Sequence, residues 1–363
     1  MLFQSIPGRN PLKKQLIQGI KSEKVPHAQI FSSQEGSGGL AFALAYAQYL
    51  FCSNRGEIDS CGQCSSCLKV NKLIHPDLHF SFPFASSKKE DTAGLFMNSW
   101  REIIQQNPFF TLENWIEALS LENKMVNIPV SECRQIIKEL SLKAYEGGYQ
   151  ILILWLPEFL RESANVLLKL LEEPSPGTLF LLVSENREQI LPTLLSRTQL
   201  IQVPSPSLEE VQVYIEESFQ LQTSLAETIS FLSEGNLSKA RDLVKGSVDQ
   251  FKEIFDEWNA LLREGNGAKL VDWVETFNGK TQKSALNKED KKNFLIYAMK
   301  VFRKDFFLQY QGKPGSFPLS VNGFQNLISE LDKAIYHLER NSNPKILFLD
   351  VSLQLSQMFL SGK

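Results

Sequence analysis

Three short apolar runs set the terms for what this chain can fold into: "HAQIFSS" from His27, "YQILILW" from Tyr149 and "GTLFLLVSE" from Gly177. Brief runs rich in Ile, Leu and Phe, with no polar face alternating through them, are the pattern of strands covered on both sides in a parallel sheet. Between them lie "LAFALAYAQYLF" from Leu40, "VSECRQIIKELSLKAY" from Val130 and "ESANVLLKLLEE" from Glu162, each with apolar residues at helical spacing. Strand and helix in alternation predict an α/β domain over residues 1–203, its sheet flanked by helices on both faces.

The pattern changes at "VPSPSLEEVQVYIEESF", where Pro204 and Pro206 break the chain and Ser207 with Glu210 forms a capping box for a new helix. No strong strand signal follows. Residues 204–246 read as a small helical domain and 247–363 as a further all-helical one, with Phe294, Ala298, Val301, Phe302 and Phe306 on one helix face. Glu264–Lys269, residues 311–320 and "ASSKKEDTAG" from Ala85 read as loops, and residues 80–127 carry no clear element signal.

Charge removes some functions. The 38 basic and 41 acidic side chains leave a net charge of -3, so the whole chain exerts no pull on DNA or acidic membranes, and a free-standing DNA-binding module with a basic, aromatic patch is disfavoured. No apolar stretch approaches the ~18 residues of a membrane span, and the expectation is a cytoplasmic protein.

Four of the five cysteines, Cys52, Cys61, Cys64 and Cys67, fall in "CSNRGEIDSCGQCSSC". Two overlapping CxxC steps bring thiolates together in one knuckle, and four soft sulfur ligands with no open position suit a structural zinc ion. Cys133, beside Ile136 and Ile137, reads as a small buried residue. His75 and His79 in "HPDLHF" have no place in an already complete shell.

"SSQEGSGGL", from Ser32, follows the first apolar run and opens the next helix, the form of a phosphate-binding loop. Its chemistry is missing. Ser33 takes the place of the first glycine, Gly36 and Gly38 remain, and Gly39 and Leu40 stand where the loop's lysine and hydroxyl belong. The strand "YQILILW" ends in Leu154 and Trp155, with no carboxylate to hold magnesium; Glu158 lies beyond it. Three groups that stabilise transition-state charge are absent, which predicts no autonomous ATP hydrolysis, the glycines serving a strand-to-helix turn.

The order "PHAQIF…GSGG", the four-cysteine module, "HPDLHF", "ESANVLLKLLEEPSPGTLFLLVSE" and "LPTLLSRTQLI" closely resembles the delta-prime subunits of bacterial DNA polymerase III, the stators of the sliding-clamp loader. The resemblance is strong over residues 1–203 and weak beyond, apart from "NSNPKILFLDVSLQL" near the end. It implies an AAA+ fold: a P-loop-type parallel-sheet domain with an inserted zinc knuckle, a small helical lid over 204–246 and a helical collar over 247–363 for oligomerisation. It further implies gamma/tau ATPase subunits and delta as partners, with the sliding clamp and primed DNA met through the complex. In such loaders one subunit's Ser-Arg-Cys motif completes the next subunit's ATP site. Here the motif reads Ser196, Arg197 and Thr198, so Arg197 is the expected arginine finger, supplied in trans with Ser196 beside it, and threonine departs from the family pattern. In "SEGNLSKAR", Ser238 stands where active relatives carry a sensor arginine, with Lys239 and Arg241 nearby. The resemblance leaves two roles: a non-hydrolysing delta-prime subunit, or a catalytically active gamma/tau-type ATPase, which the composition of the loop disfavours.

Overall fold

The structure is a computed structural model that describes the chain except for residues 87, 89, 122–123, 247, 280–285, 311–318 and 362–363, and except for the side chains at 249 and 310. The described residues divide into two packed units, Met1–Tyr214 with Glu234–Lys239, and Ile215–Ser233 with Ala240–Lys363.

The first unit runs α1 (Asn10–Lys21), β1 (Ala28–Ser33), α2 (Gly39–Phe51), α3 (Ser65–Asn71), β2 (Leu78–Ser81), α4 (Met97–Gln106), α5 (Leu112–Ala118), α6 (Val130–Leu140), β3 (Gln150–Trp155), α7 (Leu168–Glu172), β4 (Thr178–Ser184), α8 (Pro192–Leu195) and β5 (Gln199–Val203). The five strands form one parallel sheet in the order β2-β3-β4-β1-β5. β3 and β4 are buried at every position, as their unbroken apolar runs require. Against one face pack Cys133, Ile136 and Leu140 of α6 and Leu160, Ala164, Leu167 and Leu171 of the following segment. α2 crosses β1, β3 and β4. It is almost wholly apolar and buried at every position but its last, as a helix covered on all sides by the core requires. This is the parallel-sheet domain with packed helices that the alternation of strand and helix predicts.

Sequence reasoning missed two strands, both at sheet edges. β2 is only four residues long, with His79 in its middle, and β5 alternates exposed and buried positions, so neither shows the continuous apolar run of a central strand. The helix expected over Glu162–Glu173 also needs correcting. A 3-10 segment, Pro157–Val166, comes first, broken by Arg161 in a left-handed conformation (φ 48°), and only Leu168–Glu172 is α-helical. The segment 80–127 contains α4 and α5, whose Trp100 and Trp115 are fully buried and meet edge to face at 5.3 Å.

The remaining helices are α9 (Leu208–Phe219), α10 (Thr223–Ser233), α11 (Leu237–Lys245), α12 (Phe251–Glu264), α13 (Gly267–Asn278), α14 (Lys288–Tyr310), α15 (Val321–Glu339) and α16 (Pro344–Ser361). α9 begins on the expected capping box: the Ser207 amide donates to Glu210 Oε2 at 3.0 Å and the Glu210 amide to Ser207 Oγ at 3.2 Å. The second unit is all-helical among its described residues, with a core of Phe251, Phe255, Trp258, Trp273, Phe294 and Phe348. Trp258 is fully buried and its indole N–H donates to Ser352 Oγ at 2.9 Å, the partner a buried indole needs. The loop expected over Glu264–Lys269 shrinks to Gly265 and Asn266; Asn266 caps α13 through its side-chain oxygen. Of the loop expected at 311–320, residues 311–318 lie outside the described residues.

Candidate functional site

The glycine loop joins β1 to α2, where a phosphate loop belongs, and it is filled from within the chain. Gly36 has φ +66°, and a Cβ there would lie 2.1 Å from Asn236 Oδ1. The Gly36 carbonyl accepts from the Leu237 amide at 2.8 Å, so residues 236–237 sit directly on the loop. Gly39, where the sequence reading expects the loop's lysine to be replaced, is packed: a Cβ on it would lie 2.4 Å from Ser33 Oγ and 3.2 Å from Val183 Cγ1. The site has no room for a side chain there. We expect Gly36→Ala to destabilise the chain by about 1–3 kcal/mol, a strained left-handed residue meeting Asn236, read as a lowered midpoint in urea unfolding.

Arg9 closes the loop from the other side. Its guanidinium is 4% exposed, donates from Nη2 to the Ser37 carbonyl at 3.0 Å and lies 5.2 Å from the centre of the Phe42 ring. Burial lowers its pKa to about 10, with the Glu210 carboxylate pulling the other way, and its Nε and Nη1 have no hydrogen-bond partner. Nothing in "GRNPLKK" signals this burial, because the groups that cover Arg9 come from residues 37, 42 and 210.

The strand ends around the loop carry carboxylates instead of cations. Leu154 and Trp155 are buried at the end of β3, and Trp155 packs on Trp100 and Phe110. Glu158 Oε1 accepts from the amides of Glu185 and Asn186, both at 3.0 Å, while Oε2 is buried without a partner. Burial raises the pKa of Glu158 and pushes Glu185 up to about 8, the nearby charges of Glu35 and Glu158 adding to the shift at Glu185. Burial thus favours the neutral form of both carboxyls, and neither offers a polyphosphate a cation. Ser238, the residue expected in place of a sensor arginine, is 1% exposed and clasped by Asn107 and Asn114 at 3.1 and 3.0 Å. Lys239 donates its amide to Asn236 Oδ1, and Arg241 lies over the Phe219 ring.

Arg197 stands in the turn after α8 with its side chain 30% exposed. Its Nε donates to Glu172 Oε1 at 2.7 Å, Nη2 reaches the same oxygen, and Nη1 donates to the Thr193 carbonyl at 2.6 Å and Ser196 Oγ at 3.2 Å. Ser196 and Thr198 donate their hydroxyls to the carbonyls of Thr193 and Leu195. The guanidinium is thus at the surface but held.

The four cysteines converge as their spacing predicts. Cys52 ends α2, Cys64 caps α3 and Cys67 lies within it, and their sulfurs, with that of Cys61, all lie within 4.8 Å of one another. Cys52 and Cys61 sulfurs are 3.6 Å apart and Cys61 and Cys67 3.9 Å, and none is in a disulfide. Tetrahedral coordination with metal–sulfur bonds of about 2.3 Å requires sulfurs about 3.8 Å apart, so the residues fit a metal ion. The Cys61 amide donates to Cys52 Sγ and the Cys64 amide to Cys61 Sγ, both at 3.3 Å. Burial raises the thiols of Cys52 and Cys67; Cys64 is brought down to about 5, hydrogen bonds from Ser53 and Cys67 outweighing its burial, and Cys61 is lowered by the amides of Gln63 and Cys64. A bound cation would draw the remaining protons off. His75 and His79 stay outside this group: His75 stacks on Phe51 at 4.0 Å and pairs with Glu146 at 3.2 Å, and His79 pairs with Glu139 at 3.2 Å. Cys133 is fully buried, its thiol pushed up to about 12 by burial, as a packing residue.

Among the described residues no helix is long and apolar enough to cross a membrane. Comparison with known proteins gives a consistent picture. The family described as "DNA polymerase III, delta subunit" matches residues 8–207. The chain is 24% identical over 285 residues to DNA polymerase III subunit delta' of Haemophilus influenzae, covering 75% of each. It is 24% identical over 284 residues to the subunit delta' of Escherichia coli, covering 74% of each. It is also 21% identical over 383 residues to DNA polymerase III subunit tau of Bacillus subtilis, covering 95% of this chain and 60% of that one. With the sheet domain, the cysteine cluster and the family match over more than half its length, the chain belongs to the delta-prime family of DNA polymerase III clamp-loader subunits.

Proposed function

We propose that this chain is a non-hydrolysing subunit of the loader that gives Arg197 in trans to the ATP site of a neighbouring ATPase subunit, so that the sliding clamp is loaded on primed DNA. The observation that carries the reading is the contrast between its own loop, closed by Arg9 and Asn236, and an arginine left at the surface. The planar guanidinium suits the task, since it can grip two phosphate oxygens and stays charged at any working pH. Its partners in this reading are gamma/tau-type ATPase subunits and a delta subunit. The cysteine cluster holds a structural zinc ion, four thiolates leaving no position for substrate. A zinc ion there would tie the end of α2 to α3, and the protein residues themselves perform no step through it. Residues 1–203, 204–246 and 247–363 act as sheet domain, lid and collar in this account.

The alternative, an active gamma/tau-type ATPase, draws on the tau relative's coverage, but it requires Gly39 and Leu40 to do the work of a lysine and a hydroxyl. One experiment separates the two. The isolated chain, mixed with ATP and magnesium, is expected to show neither turnover nor saturable nucleotide binding by calorimetry. Turnover abolished by a substitution in the loop would establish the alternative.

A further inference from the structure

Glu172 is an odd residue to find where it is. It is the last residue of α7, and a carboxylate at the C-terminal end of a helix faces the negative end of the helix dipole, so helix stability does not account for it. What it does is hold Arg197. One carboxylate oxygen takes both Nε and Nη2 of the guanidinium across 25 residues of sequence, while Thr193 and Ser196 take Nη1. Of the five N–H groups an arginine offers, four are engaged within the chain, and only one on Nη2 remains for an outside acceptor. A finger in this state presents neither full charge nor a two-pronged grip.

We propose that Glu172 is an internal competitor for the finger: it neutralises Arg197 in the unassembled chain and yields it to the terminal phosphate of ATP on the neighbouring subunit. The inference rests on the reading of Arg197 as a finger in trans. Glu172 is a positioning residue that acts through Arg197 and touches no substrate. The geometry suits an exchange. Both partners are partly exposed, with side-chain accessibilities of 30% and 48%, so the pair is weak enough to be displaced and strong enough to tax ATP binding. No proton moves and no bond breaks; one anion replaces another on the same guanidinium.

The test uses the reconstituted loader in which only the ATPase subunit next to this chain retains a competent site, with kcat and KM for ATP measured for each variant. Glu172→Gln keeps the shape and removes the charge. It is expected to lower KM by about 1.5- to 5-fold, the range an exposed ion pair supplies, with kcat essentially as in wild type. Combined with Arg197→Ala, Glu172→Gln is expected to change KM no further, because there is no finger left to compete for. An unchanged or raised KM in Glu172→Gln, or a fall in KM that persists without Arg197, overturns the proposal. Full turnover with Arg197→Ala alone is a different result: it removes the finger reading itself, whatever Glu172 does.

Discussion

Replacing Cys67 with serine, or treating the protein with a strong chelator, is expected to unfold the segment from Cys52 to Asn71 and lower the thermal midpoint of the chain. Cys67 is fully buried, and it is one of four sulfurs that all lie within 4.8 Å of one another. Structural zinc contributes about 10–16 kcal/mol of apparent binding energy in small zinc modules, and because the unfolded chain has no preformed site, that energy is folding energy. Here α2 has a large core of its own, so we expect the loss to reach the chain as about 4 kcal/mol or more, the range in which loss of a metal stands out from ordinary substitutions. At about 2–4 °C per kcal/mol for a domain of this size, the midpoint falls by about 8–16 °C. Amide exchange should rise first between Cys52 and Asn71. A protein that carries no stoichiometric metal by elemental analysis, and whose midpoint Cys67→Ser leaves in place, would contradict the assignment.

Much of this was legible in the sequence, for reasons that differ from place to place. β3 and β4 declare themselves because strands covered on both faces are continuously apolar between their ends. The cysteines declare themselves because metal coordination dictates spacing as well as residue type. β2 and β5 escape because edge strands are short or half exposed and share their patterns with loops. The helix expected over Glu162–Glu173 is 3-10 as far as Val166 and α-helical only over Leu168–Glu172, a change of winding that the apolar spacing alone does not distinguish.

The site shows the same division. The expected absence of lysine, hydroxyl and acid is read directly at Gly39, Leu40 and Trp155, because it is a matter of residue identity. That the loop is filled is not. It depends on Arg9 reaching Ser37 and on Asn236 lying against Gly36, contacts that span 28 and roughly two hundred residues and that leave no local trace. The pairing of Glu172 with Arg197 belongs to the same class. Residue identity reports lost chemistry; only packing reports what replaced it.

The central claim is that this chain lends charge to another subunit's nucleotide while using none itself. An arginine finger contributes about 10³–10⁵-fold to phosphoryl transfer at the site it completes. The most direct measurement is single-turnover ATP hydrolysis by the neighbouring ATPase subunit, in a loader where only that subunit's site is competent, with wild-type chain and with Arg197→Ala. The account predicts a fall of about 10³-fold or more with ATP still bound and the complex still assembled by size-exclusion chromatography, because the arginine is at the surface and its removal empties no core. Wild-type turnover from an assembled loader carrying Arg197→Ala would contradict it.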